Sequence, residues 1–300
     1  MTGGMGHGPH MGHLASPRNL AGIGCMLLGM AGMGGVDASA KWLVGADYHV
    51  LQVLAVRGWF VTAALLIWVL VTGKWRGLRT ERPWGHLVRL AIAFLGPFFL
   101  FTALIYMPLA DVTVIIFGSA FWTTVFAIPL FKEKVGPHRW AAVILGFLGV
   151  AIALRPGTEL FQPVAILALL AGMAFAGINL TARWLRSTET TTQLVFYLMI
   201  GMTVVASIPL PFVWTPMPLT DLAIFAGMGA FTLVGYIFMT RAFVIAETGV
   251  VAPFEYSVLI YAVILGYLIW GEVPDAYVWT GAALIIGSGL YMIHRESRAA

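Results

Sequence analysis

Two ionisable side chains stand inside long apolar runs, Asp37 in the first and Arg57 in the second. A charge within such a run is costly and calls for a partner or a task. Asp37 lies about 9 Å of helix from the end of its run, and Arg57 about 12 Å inside the next. Their depths match, so the sequence predicts that they pair. One role is a salt bridge tying adjacent helices. The other is recognition: Asp37 would take a substrate amine or a proton, and Arg57 would hold a carboxylate through its planar fork. At the position matching Asp37 in the second half, Asn179 keeps the size and loses the charge. Glu255 follows Pro253, whose missing N–H and ring should kink the helix and free a carbonyl. It reads either as an interfacial residue or as a gate or proton site.

Aromatic and hydroxyl side chains supply the rest. Trp122 sits mid-run with Ser119 and Thr123 flanking it at helical spacing, so that face could wall an amphipathic cavity. Tyr236, Tyr256 and Tyr261 are candidates for the opposite wall. The histidines, at 7, 10, 13, 49, 86, 138 and 294, all fall in tails, loops or run ends, and Cys25 is the single cysteine. No metal site, cofactor or catalytic set is expected, so the chain does not read as an enzyme. The His-rich start reads as a flexible tail over 1–18.

These residues need helices to hold them. Of 300 residues 60% are hydrophobic and 10% charged, more apolar surface than one soluble core hides. Backbone groups in lipid must pair within the segment or in a closed barrel, and long unbroken apolar runs exclude barrel strands. An all-α polytopic protein of ten spans follows, near 19–43, 49–73, 85–106, 110–131, 138–155, 161–185, 191–214, 219–244, 248–270 and 276–293. With the N-terminus inside, every Lys and Arg except Lys41, Arg57 and Arg155 falls on inner segments, while Asp47, Asp111, Glu159, Asp221, Glu272 and Asp275 mark the outer ones. Both termini are therefore expected to be cytoplasmic. The net charge of +4 reflects that bias and not nucleic-acid binding. The bilayer and a small solute are the expected partners, with no obligate protein partner evident.

The chain also repeats itself. Leu27–Leu43 aligns without gaps on Leu169–Leu185, with identities that include Gly35/Gly177 and Trp42/Trp184, and with Asp37/Asn179 and Lys41/Arg183 alike. Glu133 and Glu272 each close an apolar run, and each is followed seven residues later by tryptophan, Trp140 and Trp279, and then by a Gly-rich span. Five spans per half, over 19–155 and 161–295, make the repeats inverted, an arrangement that places a transport site at the midplane between them.

The two Glu–Trp pairs, with Val251-Ala-Pro-Phe-Glu-Tyr256 and Trp270-Gly-Glu-Val-Pro274, resemble the EamA domain of the drug/metabolite transporter superfamily over nearly all of 19–295. That resemblance implies a ten-span permease of the bacterial inner membrane. Within the superfamily the chain is most similar to YddG-type exporters, which implies export of aromatic and other neutral amino acids by alternating access. Branches that carry S-adenosylmethionine, nucleobases, sugar phosphates or drugs remain alternatives. Val114-Ile-Ile-Phe117 stands where the second half has Pro253-Phe-Glu-Tyr256, a departure that leaves open whether both halves gate alike.

Overall fold

The computed structural model describes residues 16–133, 135–155 and 163–299. The His-rich start, Lys134, Glu159 and the beginning of the predicted sixth span lie outside them. The helices are α1 (Pro17–Gly45), α2 (Val50–Thr72), α3 (Pro83–Leu104), α4a (Leu109–Ile116) with α4b (Ser119–Phe131), and α5 (Pro137–Leu154). After these come α6 (Ala165–Leu185), α7 (Thr191–Ser207), α8 (Leu219–Ile245), α9a (Thr248–Val251) with α9b (Ser257–Trp270), and α10 (Ala276–Ala299). Among the described residues nine helices are long and apolar enough to cross a membrane, α7 is a shorter apolar one, and no strand occurs.

Local chemistry sets the ends and the breaks. The Ser16 hydroxyl caps α1 ahead of Pro17, and Thr190 with Gln193 forms a capping box at α7. The predicted seventh span, 191–214, is too long. α7 stops at Ser207, and one further turn, Leu210–Val213, follows Pro209. Around Pro253 the chain tightens into a 3₁₀ segment, Ala252–Tyr256, between α9a and α9b. The kink expected there is thus a full change of helix type. The span expected near 110–131 is found as Leu109–Phe131, but within it the Gly118 N–H bonds back to Ile115 and the Ala120 N–H to Phe117, three residues each. That winding separates α4a from α4b.

Packing follows one rule twice. α1 lies on α8 and α9, whereas α6 lies on α3 and α4, and α2–α8 contacts are matched by α3–α7 contacts. α2 meets α7 and α5 meets α10 directly. Exchanging helices 1–5 with 6–10 maps each contact onto another. The α2–α7 pair is pinned at both ends. Gln52, fully buried, donates its amide N–H to the Thr215 carbonyl and accepts from the Thr215 N–H, 2.7 and 2.8 Å. At the far end the Tyr197 hydroxyl donates to Leu78 O and Gln193 Nε2 to Arg79 O, both 2.8 Å.

Missing side chains let α1 and α8 touch backbone to backbone. A Cβ on Gly32 would lie 2.8 Å from Gly235 N and 2.9 Å from Phe231 O, neither of which can swing aside. Gly32→Ala is therefore expected to destabilise the fold by about 1–3 kcal/mol. Gly227→Ala, in the same α8 but with nothing within 4 Å of its Cβ, should be neutral or stabilising by up to ~1 kcal/mol. Thermal melting of the two variants side by side checks the contrast.

Candidate substrate site and its two ends

Gly34 seats against Tyr261 of α9 and Gly35 against the Phe231 ring of α8. With those faces of α1 occupied, Asp37 is turned away from both and is only partly accessible. Arg57 of α2 is also only partly accessible. Its guanidinium carbon stands 5.6 Å from the Phe101 ring centroid of α3, and its Nε has no hydrogen-bond partner. A narrow hollow beside it is lined by Gly58, Met202, Thr203 and Thr232 among others. Tyr236 of α8 is likewise enclosed, and its hydroxyl lies within electrostatic reach of both Arg57 and Arg89.

The expected salt bridge is not made. Asp37 and Arg57 feel each other's charge, but among the described residues no ion pair or hydrogen bond joins either side chain to another. The reason lies in packing: α1 is drawn onto α8 and α9, and α2 onto α7, where Gly58 meets Thr203. Neighbours in sequence are thus held apart in space. A carboxylate and a guanidinium, each costly to bury unpaired, face a shared interior from different helices.

The other candidates divide. Tyr261 packs on α1. Tyr256 meets Phe117, centroids 5.0 Å apart and planes at 60°. Because these two occupy matching positions of the repeats, their contact marks the axis relating the halves, where the α4 and α9 breaks adjoin. Glu255 lies on the 3₁₀ segment, enclosed but partly accessible. Asn179 is exposed, on the α6 face between Phe175, which seats against Gly96 of α3, and Gly172, which approaches Ile116 and Ser119 at the α4 break. Ser119, Trp122 and Thr123 do not form one wall. Trp122 stacks on Phe126 and sits edge-on to Phe147 of α5, 4.6 Å between centroids, and the Thr123 hydroxyl is spent on Ser119 O.

A 610 Å³ groove between α3 and α4b, lined by Ile92, Phe99, Leu130, Met173, Gly177 and Trp184 among others, is almost wholly apolar. Gly177 and Asn179 are about 200° apart around α6, so this groove lies on the opposite face from the interior. It is therefore distinct from the charged site.

Arg89 escaped the sequence reading, which counted it with the inner loops. It is buried two turns into α3, and its Nη1 donates to the Ile178 carbonyl and to Thr181 Oγ1. Phe101 escaped too, since nothing distinguishes it from other phenylalanines of an apolar run. At one end of the bundle Lys41 pairs with Glu272 and donates to Met107 O at 2.9 Å, while Glu272 Oε2 accepts from Leu109 N at 2.9 Å. Arg155 pairs with Asp275 beside them. At the other end Arg183 pairs with Glu133 at 2.5 Å and lies over the Phe131 ring. Among the described residues no three His, Cys, Asp or Glu side chains cluster as metal ligands.

The EamA-like transporter family matches this chain twice, over residues 20–155 and 162–294. An S-adenosylmethionine uptake transporter of Rickettsia felis is 30% identical over 281 residues, 93% of this chain and 95% of the relative. A riboflavin transporter of Brucella anthropi is 27% identical over 87% of this chain and 94% of its own length. A pseudopaline exporter of Pseudomonas aeruginosa is 28% identical over 62% and 66%. A crystal structure 19% identical in sequence superposes with a TM-score of 0.59, covering 94% of this chain and 98% of that one, which shows a shared fold. With ten apolar helices around an interior that holds an unpaired acid and base, the chain belongs to the EamA-like transporter family and is a multi-pass membrane transporter.

Proposed function

We propose that the transporter carries a metabolite with an amino-acid zwitterion, S-adenosylmethionine fitting best, by alternating access across the bacterial inner membrane. The observation that carries this reading is the separation of Asp37 from Arg57. An α-carboxylate on the Arg57 fork and a cation on Asp37 would satisfy both groups at once. S-adenosylmethionine offers a carboxylate, an ammonium, a sulfonium and a flat purine. Tyr236, within electrostatic reach of Arg57, gives the site an aromatic side chain for the ring or the cation. The relatives named for its uptake support the same solute. Free aromatic and neutral amino acids share the zwitterion but not the second cation, and riboflavin has no α-amino carboxylate.

In this reading both termini are cytoplasmic, so the Lys41 end faces outward and the Arg183 end inward. The halves 19–155 and 161–295 rock about the α2–α7 pair, which is pinned at both of its ends.

Counterflow in proteoliposomes with labelled S-adenosylmethionine, phenylalanine, threonine, methionine and riboflavin, with and without a pH gradient, tests the solute. Saturable exchange of S-adenosylmethionine at least tenfold faster than that of riboflavin is expected. Exchange of phenylalanine without S-adenosylmethionine would return the assignment to amino-acid export. Exchange of riboflavin alone would sink the zwitterion reading.

A further inference from the structure

The ion pairs at the two ends are the same pair seen twice. Lys41 and Arg183 match in the repeat, as do Glu272 and Glu133. Each pair joins one half to the other: Lys41 of α1 to the end of α9, and Arg183 of α6 to the end of α4. They stand at opposite ends of the bundle because the repeats are inverted. Their surroundings differ. The Lys41 and Glu272 side chains are 10% and 20% exposed, and both also bond backbone groups at the α3–α4 link. The Arg183 and Glu133 side chains are 53% and 29% exposed.

We infer that these are two unequal latches, one per gate, and that the difference between them sets which end of the transporter is shut at rest. Breaking an enclosed pair strands a charge among protein groups, whereas breaking a solvated pair returns both charges to water. The Lys41–Glu272 latch therefore outweighs its counterpart and holds its own end closed. Releasing it frees α1, α9b and the start of α4 together, since Glu272 touches all three. Glu272→Gln should raise the population open at the Lys41 end by a hundredfold or more, on the order of what loss of an enclosed partner costs. Glu133→Gln should shift the balance the other way, by about fivefold at most.

Spin-label pairs read both ends in nanodiscs, on a Cys25→Ser background, at the exposed positions Tyr106 and Val273 for one end and Leu130 and Arg186 for the other. Glu272→Gln should lengthen the 106–273 distance and shorten the 130–186 distance, with Glu133→Gln giving the smaller, opposite response. Glu272→Asp, which keeps a carboxylate for Lys41 and for the Leu109 N–H, should move the distances less than Glu272→Gln even if that variant folds poorly. Movement of both ends in the same direction, no movement at all, or a Glu272→Asp variant that moves the distances as far as Glu272→Gln would overturn the inference. It rests on alternating access and not on the solute. The distances are read with no solute present, so a wrong solute assignment leaves them unchanged.

Discussion

Asp37→Asn and Arg57→Gln are each expected to cut solute exchange by tenfold to a hundredfold while leaving thermal stability unchanged or slightly raised. The two effects come from one geometry. A charge-assisted bond to the solute is worth about 1.5–3 kcal/mol, and each substitution removes one such bond. Nothing in the protein is lost with it, because neither side chain has a protein partner to strand. A structural salt bridge predicts the reverse sign for stability: removing one member of a buried pair costs about 3–5 kcal/mol. The Asp37→Arg/Arg57→Asp exchange separates the cases further. If the pair were structural, the exchange would restore what the single variants lose. If the groups bind a solute, it should fold and still not transport, since the zwitterion would meet like charges at both ends. Melting curves and counterflow on the same three preparations decide between them.

The sequence carried the fold a long way because a bilayer leaves few choices. Apolar length yields the spans, and a gapless match containing a tryptophan yields the repeat. It also carried the depth of Asp37 and Arg57, since helical rise converts residue number into distance. It did not carry their separation, which depends on α1 choosing α8 over α2. That choice is made by Gly29, Gly32 and Gly35 on one helix and Gly235 on the other, and glycine in an apolar run looks the same whether it faces lipid or a neighbour. The break at Phe117–Gly118 was equally hidden. Pro253 announces the matching break in α9, whereas α4 tightens with no proline at the site. Arg89 was misread for another reason. A cation near a span end satisfies the positive-inside rule whether it reaches water or, as here, the carbonyl of Ile178.

Glu189→Ala is expected to destabilise the protein by about 3 kcal/mol or more, the largest stability loss predicted for a residue outside the spans. Arg82 precedes α3 but offers its first turn no side-chain cap. Glu189, from the link between α6 and α7, instead holds the residues just ahead of that turn, across the halves. Its Oε1 accepts from Thr80 Oγ1 at 2.7 Å and from the backbone N–H groups of Glu81 and Arg82 at 3.0 and 3.1 Å. Its Oε2 stands 3.3 Å from His86 Nε2. Removing one buried acceptor leaves several donors unpaired, each costing about 1–3 kcal/mol without strict additivity. Burial alone would raise the carboxyl's pKa, yet the bonds from Thr80, Glu81 and Arg82, with His86 close by, outweigh it and hold the group below the usual carboxylate range. A lowered folded value means that the stabilisation is fully present above the ordinary glutamate range and is lost as pH falls through the folded value. The acid limb of a melting-temperature profile should therefore flatten in Glu189→Gln, which keeps an acceptor but cannot ionise. An unaltered acid limb would show that the α2–α3 link is held by other contacts. The same joint bears on transport, because α3 carries Phe101 and Arg89 into the interior. If Glu189 fixes the start of that helix on the second half, its loss should slow exchange at temperatures well below the melting point.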